Sequence, residues 1–128
     1  MASPNRGTSK SLDAPDEHTS KGGVEMDAVM LGDIKVKRAT YPSGWRFSRD
    51  MGADRCYDTH VGYTVSGNIT VELEDGTRLE FGPGSAFIVP PGHDAWVVGD
   101  QPCTIVQFDE GETAARRFNV EHRAARAA

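Results

Sequence analysis

A chain of 128 residues holds a single domain-sized core and not two. A formal charge of −5 with no basic stripe argues against a nucleic-acid partner, and no run approaches the roughly 18 apolar residues of a membrane span. The N-terminus has no apolar leader, and two cysteines, Cys56 and Cys103, are too few for a disulfide framework, so a cytoplasmic protein with free thiols is expected.

Residues 1–24 are dominated by Ser, Thr, Lys, Asp, Gly and Pro, with Leu12 the sole large aliphatic before Val24, a composition that predicts a disordered N-terminal arm. His18 within it reads as solvated. A β-domain is expected over residues 25–110. Ile34 and Val36 alternate with Lys35 and Lys37, the period of a half-buried strand. Trp45 and Phe47 repeat that alternation ahead of a loop containing Gly52. In the next strand Val61, Tyr63 and Val65 share one face, and His60, Gly62 and Thr64 share the other, which is polar and roomy.

Ser66-Gly67-Asn68 turns the chain into a strand in which Ile69, Val71 and Leu73 alternate with Thr70, Glu72 and Glu74. Asp75-Gly76 signals a two-residue hairpin with positive φ at both positions. Leu79 and Phe81 mark the return strand, Gly82-Pro83-Gly84 breaks it, and a further strand starts at Ala86–Val89. Pro90-Pro91-Gly92 forces a corner, because proline has no amide hydrogen for a central ladder. Short strands at Trp96–Val98 and Thr104–Phe108 flank Gly99-Asp100-Gln101-Pro102. Such spacing predicts an all-β sandwich or barrel. Residues 111–128 read as a C-terminal helix or tail that packs Phe118 and Val120; its Arg116, Arg117, Arg123 and Arg126 form a solvated face.

With these turns and strands the sequence resembles a small single-domain cupin over roughly residues 32–109. The second motif of that family is a Gly, five residues, Pro-x-Gly, a His three residues on and an Asn four further. Gly84, Pro90 and Gly92 match, while Ala95 and Gly99 stand at the His and Asn positions. In the first motif Gly67 matches the final Gly, so that Asp54-x-Cys56-x-x-x-His60 replaces His-x-His-x-x-x-Glu. From Gly44 to Asp109 the chain also resembles an uncharacterised subgroup of bacterial cupins with a Cys before the His and a Pro-Pro-Gly-His-Asp-Ala-Trp corner.

The resemblance implies an all-β, jelly-roll-like double-stranded β-helix and a ligand-binding barrel mouth, with a homodimer as its usual assembly. It does not imply one activity. At the mouth it places Cys56, His60 and His93 as candidate metal ligands, with Asp54 or Asp94 able to add an oxygen. Cys and His donors favour zinc or iron over manganese. Two further readings stay open beside the metal. His60 and His93 could act as metal-free acid and base, oriented by Asp58 or Asp94. Alternatively the barrel binds a small molecule without chemistry, with Phe47, Tyr63, Phe87 and Trp96 as candidate substrate-binding walls. Trp45 reads as core packing, and Arg46, Arg55 and Arg78, candidate anion holders, read as surface groups. The expected partner is a small organic ligand or substrate.

Overall fold

Short alternating segments bounded by glycine and proline build the domain, and a computed structural model describes residues 7–109 of it. The helix expected over 111–128, with Phe118, Val120 and its arginines, lies outside the described residues. Within them the strands are β1 (Glu17–Lys21), β2 (Val24–Leu31), β3 (Ile34–Tyr41), β4 (His60–Ser66), β5 (Asn68–Glu72), β6 (Arg78–Phe81), β7 (Ala86–Val89), β8 (Asp94–Val98) and β9 (Cys103–Asp109), with a short helix, α1 (Phe47–Asp50). Every strand pair is antiparallel. They form a six-stranded sheet in the order β1-β2-β3-β9-β4-β7 and a three-stranded sheet in the order β6-β5-β8. The order interleaves distant segments, as jelly-roll barrels do.

The core lies between the sheets, with Val24, Ala39, Trp45, Ile69, Val71 and Ile105 among its buried members. Strand parity decides what faces it. On β4, Val61, Tyr63 and Val65 point outward and are 41–48% exposed, as the alternation predicts. His60, Gly62 and Thr64 point inward. Gly62 is required by close approach, since a Cβ there would run into the Val106 carbonyl oxygen and stand 3.0 Å from Phe87 Cζ. Among the described residues no helix is long and apolar enough to cross a membrane.

Four expectations are corrected. The polar segment expected as a disordered arm through residue 24 contains β1, which pairs with β2 from Glu17↔Ala28 to Lys21↔Val24. All five of its residues are exposed, so no apolar period marks it. Trp45 and Phe47 do not form a strand: after an isolated bridge at Arg46↔Trp96 the chain enters α1. There the Asp94 carboxylate accepts from the Ser48 amide at 3.0 Å. Third, β3 presents Lys37, Ala39 and Tyr41 beside inward Gln107, Ile105 and Cys103 of β9, so Lys37 rather than Val36 faces the interior. Finally, the hairpin at Asp75-Gly76 has positive φ at Gly76 alone. Leu73 and Thr77 close a three-residue loop, the Leu73 amide donating to the Thr77 carbonyl at 2.8 Å.

Candidate metal centre

The proline corner and the loop after α1 meet through backbone hydrogen bonds. The Cys56 amide donates to the His93 carbonyl at 2.8 Å. Its carbonyl in turn accepts from Gly92 at 2.8 Å and from His93 at 3.1 Å. Gly92 sits at φ +92°, a left-handed conformation that a side chain would strain. Two candidate ligands 37 residues apart in sequence are thus held by main chain, and His60 joins them from the inner face of β4, paired to Val89 of β7.

The side chains converge. Ligand atoms of Cys56, His60 and His93 lie within 4.8 Å of one another. Cys56 Sγ stands 3.5 Å from His60 Nε2, and the imidazole rings meet edge-on with centroids 5.0 Å apart. His93 Nδ1 is 2.8 Å from the Pro90 carbonyl, which can only accept, so Nδ1 carries the proton and Nε2 keeps its lone pair. His60 Nδ1 lies 2.9 Å from Gln107 Oε1, while Gln107 Nε2 donates to the Tyr41 hydroxyl at 3.1 Å. His60 is therefore fixed the same way, with Nε2 toward the thiol. A hydrogen-bonded acceptor behind each imidazole is the support that metal-ligating histidines use.

Burial sets the charge states. It lowers the His60 imidazole, with the neighbouring His93 and Lys37 adding to it, down to about 4. Burial also lowers His93 against the opposing pull of the Pro90 carbonyl. Both rings are neutral at pH 7. The Cys56 thiol is raised by burial, so it stays protonated until a cation displaces the proton. Around one tetrahedral zinc, sulfur and nitrogen donors stand roughly 3.3–3.6 Å apart, and the Cys56–His60 contact of 3.5 Å already matches. The donor set fits a borderline-soft divalent ion.

Behind this group lies a cavity of about 190 Å³. Phe47 and Phe87 line it, and Phe87 stacks on Phe81 with centroids 4.8 Å apart. Tyr63 and Trp96 do not, because strand parity turns them outward. Tyr63 is 44% exposed, and Trp96 lies on the outer side of β8 under the guanidinium groups of Arg46 and Arg78, 4.5 and 5.1 Å from its ring. Trp45 joins the wall, and its buried Nε1 has no hydrogen-bond partner among the described residues.

Asp54 is exposed and outside the ligand group. Asp94 is buried but turned to Arg46 and Ser48; burial would raise its carboxyl, and the hydrogen bonds from Ser48, Ala95 and Arg46 outweigh that and hold it low. Arg55 donates to the Gly92 carbonyl at 3.1 Å, and Cys103 is a free, buried core residue. Sequence reasoning missed Tyr41, Gln107 and Lys37. Parity along β9, with Cys103 and Ile105 buried, would have placed Gln107 inward, and a polar residue at an inward barrel position was the available signal.

No protein-family model matches the sequence, and no curated protein matches it. Solved structures do match in shape. The cupin domain of Schizosaccharomyces pombe Cnp3 superposes with a TM-score of 0.59 at 13% identity over 85% of this chain and 77% of that one. A sugar phosphate isomerase of the cupin superfamily from Silicibacter pomeroyi gives 0.59 at 15% identity, covering 79% and 74%. KdgF from Halomonas sp. gives 0.54 at 19% identity, covering 72% and 83%. With its antiparallel sheets, interleaved strand order and these neighbours, the chain has the all-β cupin barrel fold.

Proposed function

We propose that this barrel holds one divalent transition metal, zinc or iron, on Cys56, His60 and His93 and receives a small organic molecule in the adjoining cavity for metal-assisted chemistry. The observation that carries the reading is the convergence of the three donor atoms within 4.8 Å beside the cavity. Three protein donors leave a coordination position for water or substrate, the arrangement of catalytic rather than structural sites. When bound, the metal supplies a Lewis acid that polarises an oxygen of the ligand.

The chain's own residues do the rest. Gln107 and the Pro90 carbonyl keep both Nε2 atoms free of protons, and the Cys56–His93 clasp limits reorganisation. The aromatic walls exclude water from the reacting group. Metal-free acid–base catalysis is less well supported: a histidine lowered to about 4 is far from the neutral range that suits a general base.

Elemental analysis of protein purified without chelators or a histidine tag tests this. Near-stoichiometric zinc or iron in the wild type, lost in His60→Ala together with thermal stability, is expected because metal binding couples to folding. A wild type that stays metal-free after addition of Zn(II) and Fe(II), or a variant with undiminished metal, refutes the assignment.

A further inference from the structure

The cavity's two sheets differ: one mixes polar side chains with apolar Val24, Met26, Phe87, Val89 and Ile105, and the other is apolar throughout. The polar groups, Lys37, Tyr41, Asp58 and Gln107 with the Cys56–His60–His93 group, all come from the six-stranded sheet and the loops. The three-stranded sheet contributes Ile69, Val71, Phe81 and Ala95, with no polar side chain among them. Phe47 and Phe87 extend that carbon wall, and Trp45 adds an aromatic ring with one buried donor, Nε1. From this asymmetry we infer that the ligand is a small monocarboxylate with an apolar, ring-sized body, its carboxylate at Lys37 and the Cys56–His60–His93 group and its carbon skeleton against the aromatic wall. The inference rests on the proposed reading of this cavity as a ligand site beside a metal, and narrows it.

Size comes first. An apolar cavity of about 150 Å³ accommodates benzene, so about 190 Å³ leaves room for a single ring or branched aliphatic body and one polar substituent. Composition comes second. A polyhydroxylated ligand would bury hydroxyls against a wall whose one donor is Trp45 Nε1, and the hydroxyls left unpaired would weaken its binding. A sugar phosphate, the substrate named for one structural neighbour, is therefore a poor fit to this wall.

Charge comes third. Lys37 keeps its side chain 16% exposed and is paired at 2.7 Å with Asp109, whose carboxylate is 40% exposed at the end of β9. A divalent ion, the Cys56 thiolate and the Asp58 carboxylate offset one another, and Lys37 is offset by Asp109, so each further negative charge must be met by Lys37 and the ion. A monoanion adds one such charge, and a phosphate dianion adds two.

Calorimetric titration of the zinc-loaded full-length chain at pH 7 with benzoate, benzyl alcohol and glucose 6-phosphate is the test. Benzoate should bind at least about tenfold more tightly than benzyl alcohol, since a charge-assisted contact outweighs a neutral one. Glucose 6-phosphate should bind more weakly than either. Lys37→Met should abolish the preference for benzoate while benzyl alcohol affinity stays within about threefold, which also shows that the variant is folded; Lys37→Arg should retain the preference. Glucose 6-phosphate binding as tightly as benzoate, no benzoate binding, or a benzoate preference unchanged in Lys37→Met would each overturn the inference. Protein that takes up no zinc yet binds benzoate in a Lys37-dependent way would refute the metal and leave the ligand class standing. Stoichiometric zinc without benzoate binding would do the reverse.

Discussion

Acidification of the metal-free protein gives a quantitative test of the site's electrostatics. His60 is a half-buried neutral ring lowered from 6.5 to about 4, so between those values the unfolded chain takes up a proton that the folded chain refuses. Its contribution is fully present above pH 6.5 and is lost as pH falls toward 4. At about 1.4 kcal/mol per pH unit the whole effect is about 3 kcal/mol, of which roughly 2–3 kcal/mol disappears between pH 7 and pH 4.5. His93, lowered mainly by burial, acts in the same direction. The exposed His18, raised chiefly by its hydrogen bond to Asp27, acts in the opposite one.

Comparing wild type with His60→Gln cancels the His18 contribution and the burial part of the His93 contribution, leaving His60 and its coupling to His93. Urea denaturation at a series of pH values reads the difference. On passing from pH 7 to 4.5 the wild-type midpoint should fall by about 1–2 M more than that of the variant, for a slope of about 1–2 kcal/mol/M. Equal pH dependence in the two proteins would mean that His60 is hydrated or charged in the folded state, and the reasoning from burial would fail.

Other perturbations have comparable readouts. Gln107→Leu removes the acceptor behind His60 Nδ1 and should weaken zinc binding about 10–100-fold with little change in fold, measured by competition with a chromophoric chelator. In Gly62→Ala the new methyl group meets the Val106 carbonyl and Phe87, so the variant should lose about 1–3 kcal/mol in denaturant titration. Asp94→Ala strips the Ser48 amide and Arg46 of a buried partner and should cost about 1–3 kcal/mol in the same titration. Its zinc stoichiometry should be unchanged, because Asp94 faces away from the ligand group.

Spacing and parity made much of the barrel legible. Gly67, Gly84, Pro90 and Gly92 carry the resemblance that implies Cys56, His60 and His93 at one mouth, and the three side chains meet in the structure. The errors have physical causes. Tyr63 and Trp96 suit a cavity wall by residue type, although their parity on β4 and β8 turns them outward. Lys37 reads as solvent-facing because Ile34 and Val36 look like the buried set. Polarity is a poor guide to the inside of a barrel that encloses a polar site. Gln107 carries no motif, and its role emerges only when β9 lies between β3 and β4, a long-range pairing that no local pattern encodes.

The exposed strand β1 also decides which strand edge this sheet offers to other chains. A sheet margin offers unpaired amides and carbonyls to any extended chain that drifts past. Here that margin carries a fringe of charge: Glu17 reaches Lys35 at 2.8 Å, and His18 bridges Asp27 at 2.7 Å and Glu25 at 3.0 Å. Behind it runs β2, Val24–Leu31, with Val24, Ala28 and Val29 buried. Without residues 1–21 that hydrophobic strand would become the margin, and chains would begin to zip together edge to edge. The segment that looked dispensable in composition serves the barrel as a selvedge, a polar border that stops the weave from growing.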